Sequence, residues 1–277
     1  MLDYTEDTDL AGIKLVATDM DLTLLHSDKS MPSGMPARIR ELAARGVLFC
    51  AASGRPAPAL RASFPENADT MAFVADNGGS IYCQGELIYK SLIDRSLYHE
   101  VLDRIARDST GVPVLCAFER AYVLERDHSH HDELSVYYKD IRYVEDFDAV
   151  DVDSNKVSGL FPNWDSPAYF EDVFGPAFSN RLYVTCAGNE WIDFMNLGVD
   201  KGTGIRRLAE YADIKLSDVA AFGDTYNDIP MLDIVGHSFA VANAAEHMDT
   251  HARFRCPSND DEGVLTVIDA ILAAKGL

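Results

Sequence analysis

The feature that most constrains the fold is a short apolar run, residues 14–18, which stops at two aspartates spaced one residue apart, Asp19 and Asp21. The run is too short for a helix and contains β-branched residues, so it predicts a buried strand. A chain that leaves the carboxyl end of a parallel strand enters the crevice where open α/β sheets bind ligands. Two carboxylates in such a crevice repel each other and lose hydration unless a cation lies between them.

Two kinds of chemistry suit this pair of carboxylates. Mg²⁺ prefers oxygen ligands, and proteins hold it with few carboxylates while water and phosphate complete its coordination. A carboxylate is also a known covalent nucleophile in phosphoryl transfer. The alternative is an Asp-rich turn that follows a strand, which a short motif alone does not exclude.

Two more strand patterns follow, at residues 47–52 and 71–75, and helical patterns lie after each of the first two strands. Pro36 can open the first helix, and Gly46 can close it. Ser53 comes directly after the second strand, where its hydroxyl can donate to a phosphoryl oxygen or simply cap a helix. Strands that alternate with helices in this order predict a parallel, doubly wound (Rossmann-like) α/β sheet.

The alternating pattern resumes near the end of the chain. Lys201 opens a helical pattern although a cation opposes the positive end of the helix dipole. A side chain that reaches into an acidic, phosphate-holding crevice explains this placement better than the alternative, a solvated lysine. Residues 220–222 predict a strand that ends at a Gly-led loop. Residues 239–241 are expected to form the last strand, and a helix is expected from about residue 262 to residue 274.

Between these two parts the pattern changes to that of a mainly antiparallel α+β segment. Helices are expected at 96–108 and 167–174, and strands at 114–118, 122–124, 156–161, 181–186 and 191–195, the first two strands being joined at 119–121. We therefore expect a core domain formed by residues 1–83 and 198–277, with a small α+β domain inserted at 84–197.

Composition limits the partners and the compartment. The net charge of −21 predicts that the chain repels nucleic-acid phosphates and anionic membranes. No apolar stretch reaches membrane-spanning length, and residues 1–12 are expected to be a loose acidic leader without the basic start of a signal peptide. The five cysteines are an odd number without metal-site or redox spacing, which favours reduced thiols in a cytoplasmic protein.

Taken in order, four stretches form a recognisable set: Asp19-Met20-Asp21-Leu22-Thr23, Ser53-Gly54-Arg55, Asp200-Lys201-Gly202, and Gly223-Asp224-Thr225-Tyr226-Asn227-Asp228-Ile229-Pro230-Met231-Leu232. This set resembles the haloacid dehalogenase superfamily of phosphohydrolases, specifically its Cof-type branch with a type-IIB cap, and the resemblance covers nearly the whole chain. The last stretch is the most specific. The chain departs from the family at Leu22, where the family commonly has Gly, a difference that concerns the geometry of the turn and removes no chemical group.

The resemblance implies a Mg²⁺-dependent phosphatase that forms an aspartyl-phosphate. Asp19 would be the nucleophile, and Asp21 would protonate the leaving group and then act as general base. The metal would be held by the Asp19 carboxylate, the Asp21 backbone carbonyl and the Asp224 carboxylate, with Asp228 orienting water on the metal.

The resemblance also implies a pocket for the phosphoryl group and the substrate. Ser53 and Lys201 would stabilise the charge on the transferring group. The other residues expected to line this pocket are Gly54, Arg55, Asn77, Gly78 and Asn227.

The sequence leaves several alternatives open. The substrate is expected to be a sugar phosphate or a similar small phosphorylated metabolite. A phosphotransferase or phosphomutase on the same scaffold would pass the phosphoryl group to a second hydroxyl instead of water. A sugar-phosphate-binding regulator without turnover is the third alternative, although it has no need for Asp21 beside the nucleophile. The oligomeric state is not predicted.

Overall fold

The computed structural model describes residues 1–118, 120–187 and 189–276, so Glu119, in the expected connection at 119–121, lies outside the described residues. The strands of the described chain are β1 (Leu2–Asp3), β2 (Leu15–Thr18), β3 (Leu48–Ala52), β4 (Ala72–Ala75), β5 (Ser80–Cys83), β6 (Glu86–Lys90), β7 (Val112–Ala117), β8 (Ala121–Leu124), β9 (Ile141–Val144), β10 (Ser154–Leu160), β11 (Leu182–Ala187), β12 (Trp191–Asn196), β13 (Val219–Gly223), β14 (His237–Val241) and β15 (Phe254–Cys256).

Helices follow most of these strands in the described chain. The α-helices are α1 (Met35–Ala44), α2 (Ala57–Ala62), α3 (Arg95–Asp108), α4 (His131–Ser135), α5 (Ser166–Tyr169), α6 (Gly175–Phe178), α7 (Lys201–Tyr211), α8 (Ile229–Leu232) and α9 (Gly263–Ala274). Shorter turns of 3₁₀ type lie at Tyr4–Glu6, Leu10–Gly12, Asp76–Gly78, Glu125–His130, Phe147–Ala149, Leu216–Asp218, Tyr226–Asp228 and Glu246–Thr250, and wider π turns lie at Met20–Leu24 and Phe170–Phe174.

The described chain divides into two compact units. The first contains residues 1–54, 60–88 and 200–277, and the second contains residues 55–59 and 89–199. The boundaries of the expected cap domain, 84–197, stay a prediction. Residues 84–88 of that range belong to the first unit, because strand β6 extends its sheet.

The first unit is built on a nine-stranded sheet with the strand order β1-β15-β14-β13-β2-β3-β4-β5-β6. The neighbours from β1 to β4 are parallel, and β5 runs antiparallel to β4. Every residue of β2 and β13 is buried, as expected for parallel strands that are covered on both faces. Helix α1 packs with α9, and α7 packs with α8. The prediction of a doubly wound parallel core is confirmed.

The position of β2 creates the crevice of this sheet. The chain continues from β2 to β3 on one side, whereas its neighbour on the other side, β13, comes from the end of the chain. The register pairs Thr18, the last residue of β2, with Ala51 of β3 and Phe222 of β13. In open α/β sheets a ligand crevice lies at the carboxyl ends of strands where the order reverses in this way. Asp19, Ser53 and Asp224 each follow one of these three strand ends.

The second unit contains a six-stranded sheet with the order β11-β12-β10-β7-β8-β9, antiparallel except for the pair β8 and β9. Its two faces carry separate apolar clusters because successive strand residues point to opposite sides. Leu115 and Val157 pack with Ile105 of helix α3, whereas Val114 packs with Trp191 in the second cluster. The prediction of a mainly antiparallel α+β segment agrees with this sheet.

The expectation of a loose leader at residues 1–12 was wrong. Leu2 and Asp3 form strand β1, which pairs in parallel with β15 at the edge of the sheet. Asp7 is fixed as well, because its Oδ2 lies 2.6 Å from Nδ1 of His237 and both side chains are nearly buried. The acidic composition of the leader indicated solvation, but one of its carboxylates has a buried partner far along the chain.

Residues 239–241 form a strand as expected, within β14, but the expectation that it is the last strand was wrong. Strand β15 follows at Phe254–Cys256 and joins β14 to β1. A strand of three residues is too short to show an alternating pattern, so its pairing partners define it rather than its own sequence.

Two findings bear on the expected compartment. No helix in the described ranges combines the length and the apolar character that are needed to cross a bilayer. The cysteines, all of which lie in described positions, form no disulfide. Burial raises the pKa of the Cys256 thiol to about 12, so that this cysteine packs as a small apolar side chain.

Candidate active site

Two aspartates leave neighbouring strand ends and enter the crevice of the first unit. Asp19 follows β2, and its N–H donates to the carbonyl of Phe222 at 3.0 Å, which continues the β2–β13 pairing by one residue. Asp224 follows β13 directly, and both side chains are buried. The parallel register therefore fixes the two carboxylates side by side.

A third carboxylate, that of Asp228, joins them from the 3₁₀ turn after β13. Its Oδ2 accepts the N–H groups of Asp224 at 2.9 Å and of Thr225 at 3.2 Å. Gly223 allows this close approach, because a Cβ at that position would lie 2.4 Å from the Cβ of Asp228. The loop sequence therefore folds back on itself and presents Asp228 to the crevice, fully buried.

Lys201 places its ammonium group among these carboxylates. Its Nζ lies 2.5 Å from Oδ1 of Asp19 and 2.6 Å from Oδ1 of Asp228, and the side chain is completely buried. Asp200 caps helix α7 by accepting the N–H of Thr203 at 2.7 Å, which sets the direction in which Lys201 leaves the helix. The expectation that this lysine reaches into an acidic crevice agrees with these distances.

The cluster carries more negative charge than one lysine can offset. Oxygens of Asp19, Asp224 and Asp228 all lie within 4.8 Å of one another. Burial raises the pKa of Asp19 to about 7, with Lys201 opposing the shift and the other two carboxylates adding to it. Burial and the charge of Asp228 raise the pKa of Asp224 to about 6. The cluster therefore favours the binding of either protons or a cation.

The lysine itself stays charged. Burial alone lowers the pKa of Lys201, but the carboxylates of Asp19 and Asp228 outweigh burial and hold its pKa above the usual value. An ammonium group held in this way is a fixed positive charge beside the Asp19 carboxylate.

The structure does not bring the side chain of Asp21 into the carboxylate cluster. Its Oδ1 instead accepts from Nζ of Lys29 at 3.0 Å, and about a third of the side chain, 38%, is exposed. Its charge is nevertheless close enough to raise the pKa of Asp224. Asp21 therefore lies at the partly exposed rim of the site.

Thr23 is part of the site although the sequence assigned it no role. Its buried hydroxyl donates to Oδ1 of Asp224 at 2.9 Å and so fixes the orientation of that carboxylate. Its position two residues after Asp21 in the same motif is the sequence signal that could have identified it.

The loops after β3 and β4 meet on the other side of the crevice. The carbonyl of Ser53 accepts the N–H of Asn77 at 2.9 Å, and Nδ2 of Asn227 donates to Oδ1 of Asn77 at 3.3 Å. Gly54 lies against Asn77, whose amide nitrogen would be 3.2 Å from an added Cβ. Gly78 has φ +99°, and an added Cβ would be 2.4 Å from the carbonyl oxygen of Asp200, so only glycine fits there.

Arg55 is assigned to a different compact unit from the other expected pocket residues. It falls within the second compact unit, whereas the carboxylates, Lys201, Ser53, Asn77 and Asn227 all belong to the first. Its expected role in the pocket stays a prediction.

Comparison with known proteins gives one consistent result. A family model for haloacid dehalogenase-like hydrolases matches residues 16–268. The chain is 32% identical over 263 residues to the 5-amino-6-(5-phospho-D-ribitylamino)uracil phosphatase YbjI of Escherichia coli (strain K12), covering 94% of this chain and 97% of that one. Among solved structures, SMU.1108c from Streptococcus mutans UA159 is 27% identical with a TM-score of 0.85, covering 94% and 99% of the two chains. The haloacid dehalogenase subclass IIB sugar phosphatase BT4131 shares the fold, with a TM-score of 0.76, 19% identity and 93% and 98% coverage.

Proposed function

The chain belongs to the haloacid dehalogenase-like hydrolase family and is a phosphatase, and we propose that it hydrolyses small phosphomonoesters through a phosphorylated Asp19. The observation that carries the proposal is the buried Asp19 carboxylate, which has Oδ1 held by Lys201 at 2.5 Å and lies beside Asp224. A buried carboxylate beside a fixed ammonium is suited to attack phosphorus, because the ammonium also attracts the anionic phosphoryl group.

We propose two half-reactions at this carboxylate. In the first, an Asp19 oxygen attacks phosphorus, the ester P–O bond breaks, and Asp21 gives its proton to the departing alkoxide. In the second, water attacks the same phosphorus and loses a proton to Asp21. The bond between phosphorus and Asp19 breaks, which restores the carboxylate and releases inorganic phosphate.

A divalent cation fits the excess negative charge of the cluster, and we propose that Mg²⁺ is the ion. Asp19, Asp224 and the backbone carbonyl of Asp21 would hold it, since oxygen ligands of this kind suit Mg²⁺. Asp228 is less suited, because Lys201 and two backbone N–H groups already occupy its oxygens. When bound, the cation would neutralise carboxylate charge and polarise the phosphoryl group.

For the substrate, we propose a small metabolite that carries a phosphoryl group on a primary hydroxyl of a sugar or polyol. The support is the name of the Escherichia coli relative, whose substrate carries its phosphate on a ribityl chain. A phosphate-release screen that includes this compound, sugar phosphates and nucleotides tests the proposal, with substrates ranked by kcat/KM. Transfer of the phosphoryl group to an added sugar in place of release would favour a phosphotransferase instead.

Mg²⁺ is expected to raise the melting temperature of the protein, and to raise it more at pH 7.5 than at pH 5. Asp19 and Asp224 have folded-state pKa values raised to about 7 and about 6. Without the cation, protonation of these two carboxyl groups stabilises the folded state. This stabilisation is fully present below pH 4 and is lost as the pH rises through the two pKa values. A cation that binds only the folded state adds about 2.7 kcal/mol at a hundredfold excess over Kd.

Thermal denaturation with and without Mg²⁺ measures this effect without any assay of activity. Asp224→Asn should remove most of the shift. Asp233→Asn is the matched control, because it removes an exposed carboxylate that pairs with His251 outside the cluster, and it should keep the shift. An equal shift in all three proteins would place the cation elsewhere.

Asp21→Asn is expected to slow hydrolysis by a factor that depends on the leaving group. A positioned general acid contributes about 10²–10⁴-fold where the leaving alkoxide needs a proton. An alkyl ester such as a sugar phosphate should therefore lose far more rate than p-nitrophenyl phosphate when the two are compared by kcat/KM, which reports the first half-reaction and not the shared hydrolysis of the phosphorylated Asp19. Asp28→Asn, which alters an exposed aspartate in the following turn, serves as the control. Equal losses for both esters would remove Asp21 from this role.

A further inference from the structure

Leu22, between Asp21 and Thr23, adopts a backbone conformation that leucine disfavours. Its φ of 60° and ψ of 6° lie in the left-handed region, where the Cβ of an L-residue crowds the following carbonyl group. Such a conformation persists in a residue with a side chain only when the surrounding structure imposes it. A glycine at this position would adopt a positive φ without steric cost.

The surrounding structure supplies two amide side chains from distant loops. Nδ2 of Asn243 donates to the carbonyl of Leu22 at 2.8 Å, and the Oδ1 of Asn243 accepts the N–H of Asn259 at 3.0 Å. Nδ2 of Asn259, a buried side chain, donates to the carbonyl of Leu25 at 3.0 Å. Asn243 and Asn259 thus form a connected clamp on two carbonyls of the loop that carries Asp21.

We propose that Asn243 is a positioning residue that holds Leu22 in its left-handed conformation and thereby aligns the loop that carries Asp21 and Thr23. The proposal rests on the proposed function, because it assigns to this loop the acid of a phosphatase. Without the Asn243 donor, Leu22 relaxes toward a negative φ, which redirects the chain on both sides of it.

A change in the φ of Leu22 would displace the side chains of both its neighbours. Thr23 fixes the Asp224 carboxylate through a 2.9 Å hydrogen bond, and Asp21 lies at the rim of the same cluster. The clamp therefore stabilises in leucine the positive φ that glycine adopts without steric cost because it lacks a side chain. It follows that Asn243 matters when residue 22 is Leu and becomes dispensable when residue 22 is Gly.

A double-mutant cycle tests this coupling directly. Asn243→Asp keeps the acceptor for the Asn259 N–H but loses the donor to Leu22. In the natural sequence it should lower kcat about fivefold or more, with KM changed less than about twofold, whereas after Leu22→Gly the same change should lower kcat less than about twofold. Any effect of the added negative charge alone would be equal in both backgrounds.

Asn67→Ala is the matched control, because Asn67 is a buried asparagine of the same unit whose Nδ2 donates to the carbonyl of Pro36. Its effect on kcat should not depend on residue 22. Asn243→Ala serves as a second variant, and it should show the same dependence on residue 22 as Asn243→Asp.

Melting temperatures of the natural chain, Asn243→Asp, Leu22→Gly and the double variant test the clamp separately from the proposed function. The loss of melting temperature caused by Asn243→Asp should shrink by at least about half after Leu22→Gly. Equal losses of kcat and of melting temperature in the two backgrounds would overturn the clamp. If the natural chain releases no phosphate from any ester, the proposed function fails, and the melting temperatures alone still decide whether the clamp exists.

Discussion

Asp19→Asn is expected to lower kcat by about 10⁴-fold or more, because removal of a covalent nucleophile leaves only binding and charge stabilisation. The amide oxygen can still accept from Lys201, so the fold should survive. The change also removes one negative charge from a crowded, buried cluster whose pKa values are already raised. We therefore expect the melting temperature without Mg²⁺ to stay equal or to rise.

Steady-state phosphate release and thermal denaturation measure the two halves of this result. Asp233→Asn is again the matched control, and it should leave kcat near that of the natural chain because the exposed Asp233 pairs only with His251 among the ion pairs described. Phosphate release by the Asp19 variant at a near-natural rate would exclude Asp19 as the nucleophile. A collapsed fold would instead indicate that the carboxylate is structural.

Lys201→Met is expected to destabilise the protein by about 3–5 kcal/mol in the absence of Mg²⁺, which is typical when one partner of a buried ion pair is removed. Lys201 contacts two carboxylates, Asp19 at 2.5 Å and Asp228 at 2.6 Å, and neither the lysine nor Asp228 has any solvent exposure. Methionine fills a similar volume, so the loss reports charge rather than packing.

The effect of Lys201→Met should depend on pH in a defined direction. Without the lysine the pKa of Asp19 rises further, so protonation relieves the repulsion more completely at pH 5 than at pH 8. The destabilisation measured by denaturant titration should therefore be smaller at pH 5. Lys14→Met is the control, because Lys14 pairs with Asp218 at 3.0 Å but is 57% exposed, and such pairs contribute less than about 1 kcal/mol. Equal losses for the two variants would mean that the buried contacts carry no special weight.

The sequence predicted the strand ends of the core because each depends on a local pattern. An apolar run that stops at Asp19 or before Asp224 specifies a buried parallel strand and also the edge at which its carboxylate emerges. The position of Lys201 at a helix start could be interpreted in the same way, since a cation there opposes the helix dipole.

What the sequence could not predict are contacts that only the finished fold brings together. The Asn243 side chain and the Leu22 carbonyl are 221 residues apart along the chain, and no local pattern marks either as a partner. The strand β1 has two residues and β15 has three, which is too few to show a period. The ion pair of Asp21 with Lys29 could not be predicted, because it depends on the direction of a turn rather than on a motif.

The place of β2 between β3 and β13 also dictates the order in which the chain can fold. Both segments of the second unit, residues 55–59 and 89–199, precede β13 in the sequence, so a ribosome synthesises all of that unit before β13. The central strand must then wait with one side bare until residues 219–223 emerge. Distant pairing of this kind slows folding and leaves an apolar strand open to aggregation in the meantime. We therefore expect the nascent chain to be most prone to aggregation while the second unit is being made, because the acidic site cannot assemble before Asp224 has emerged.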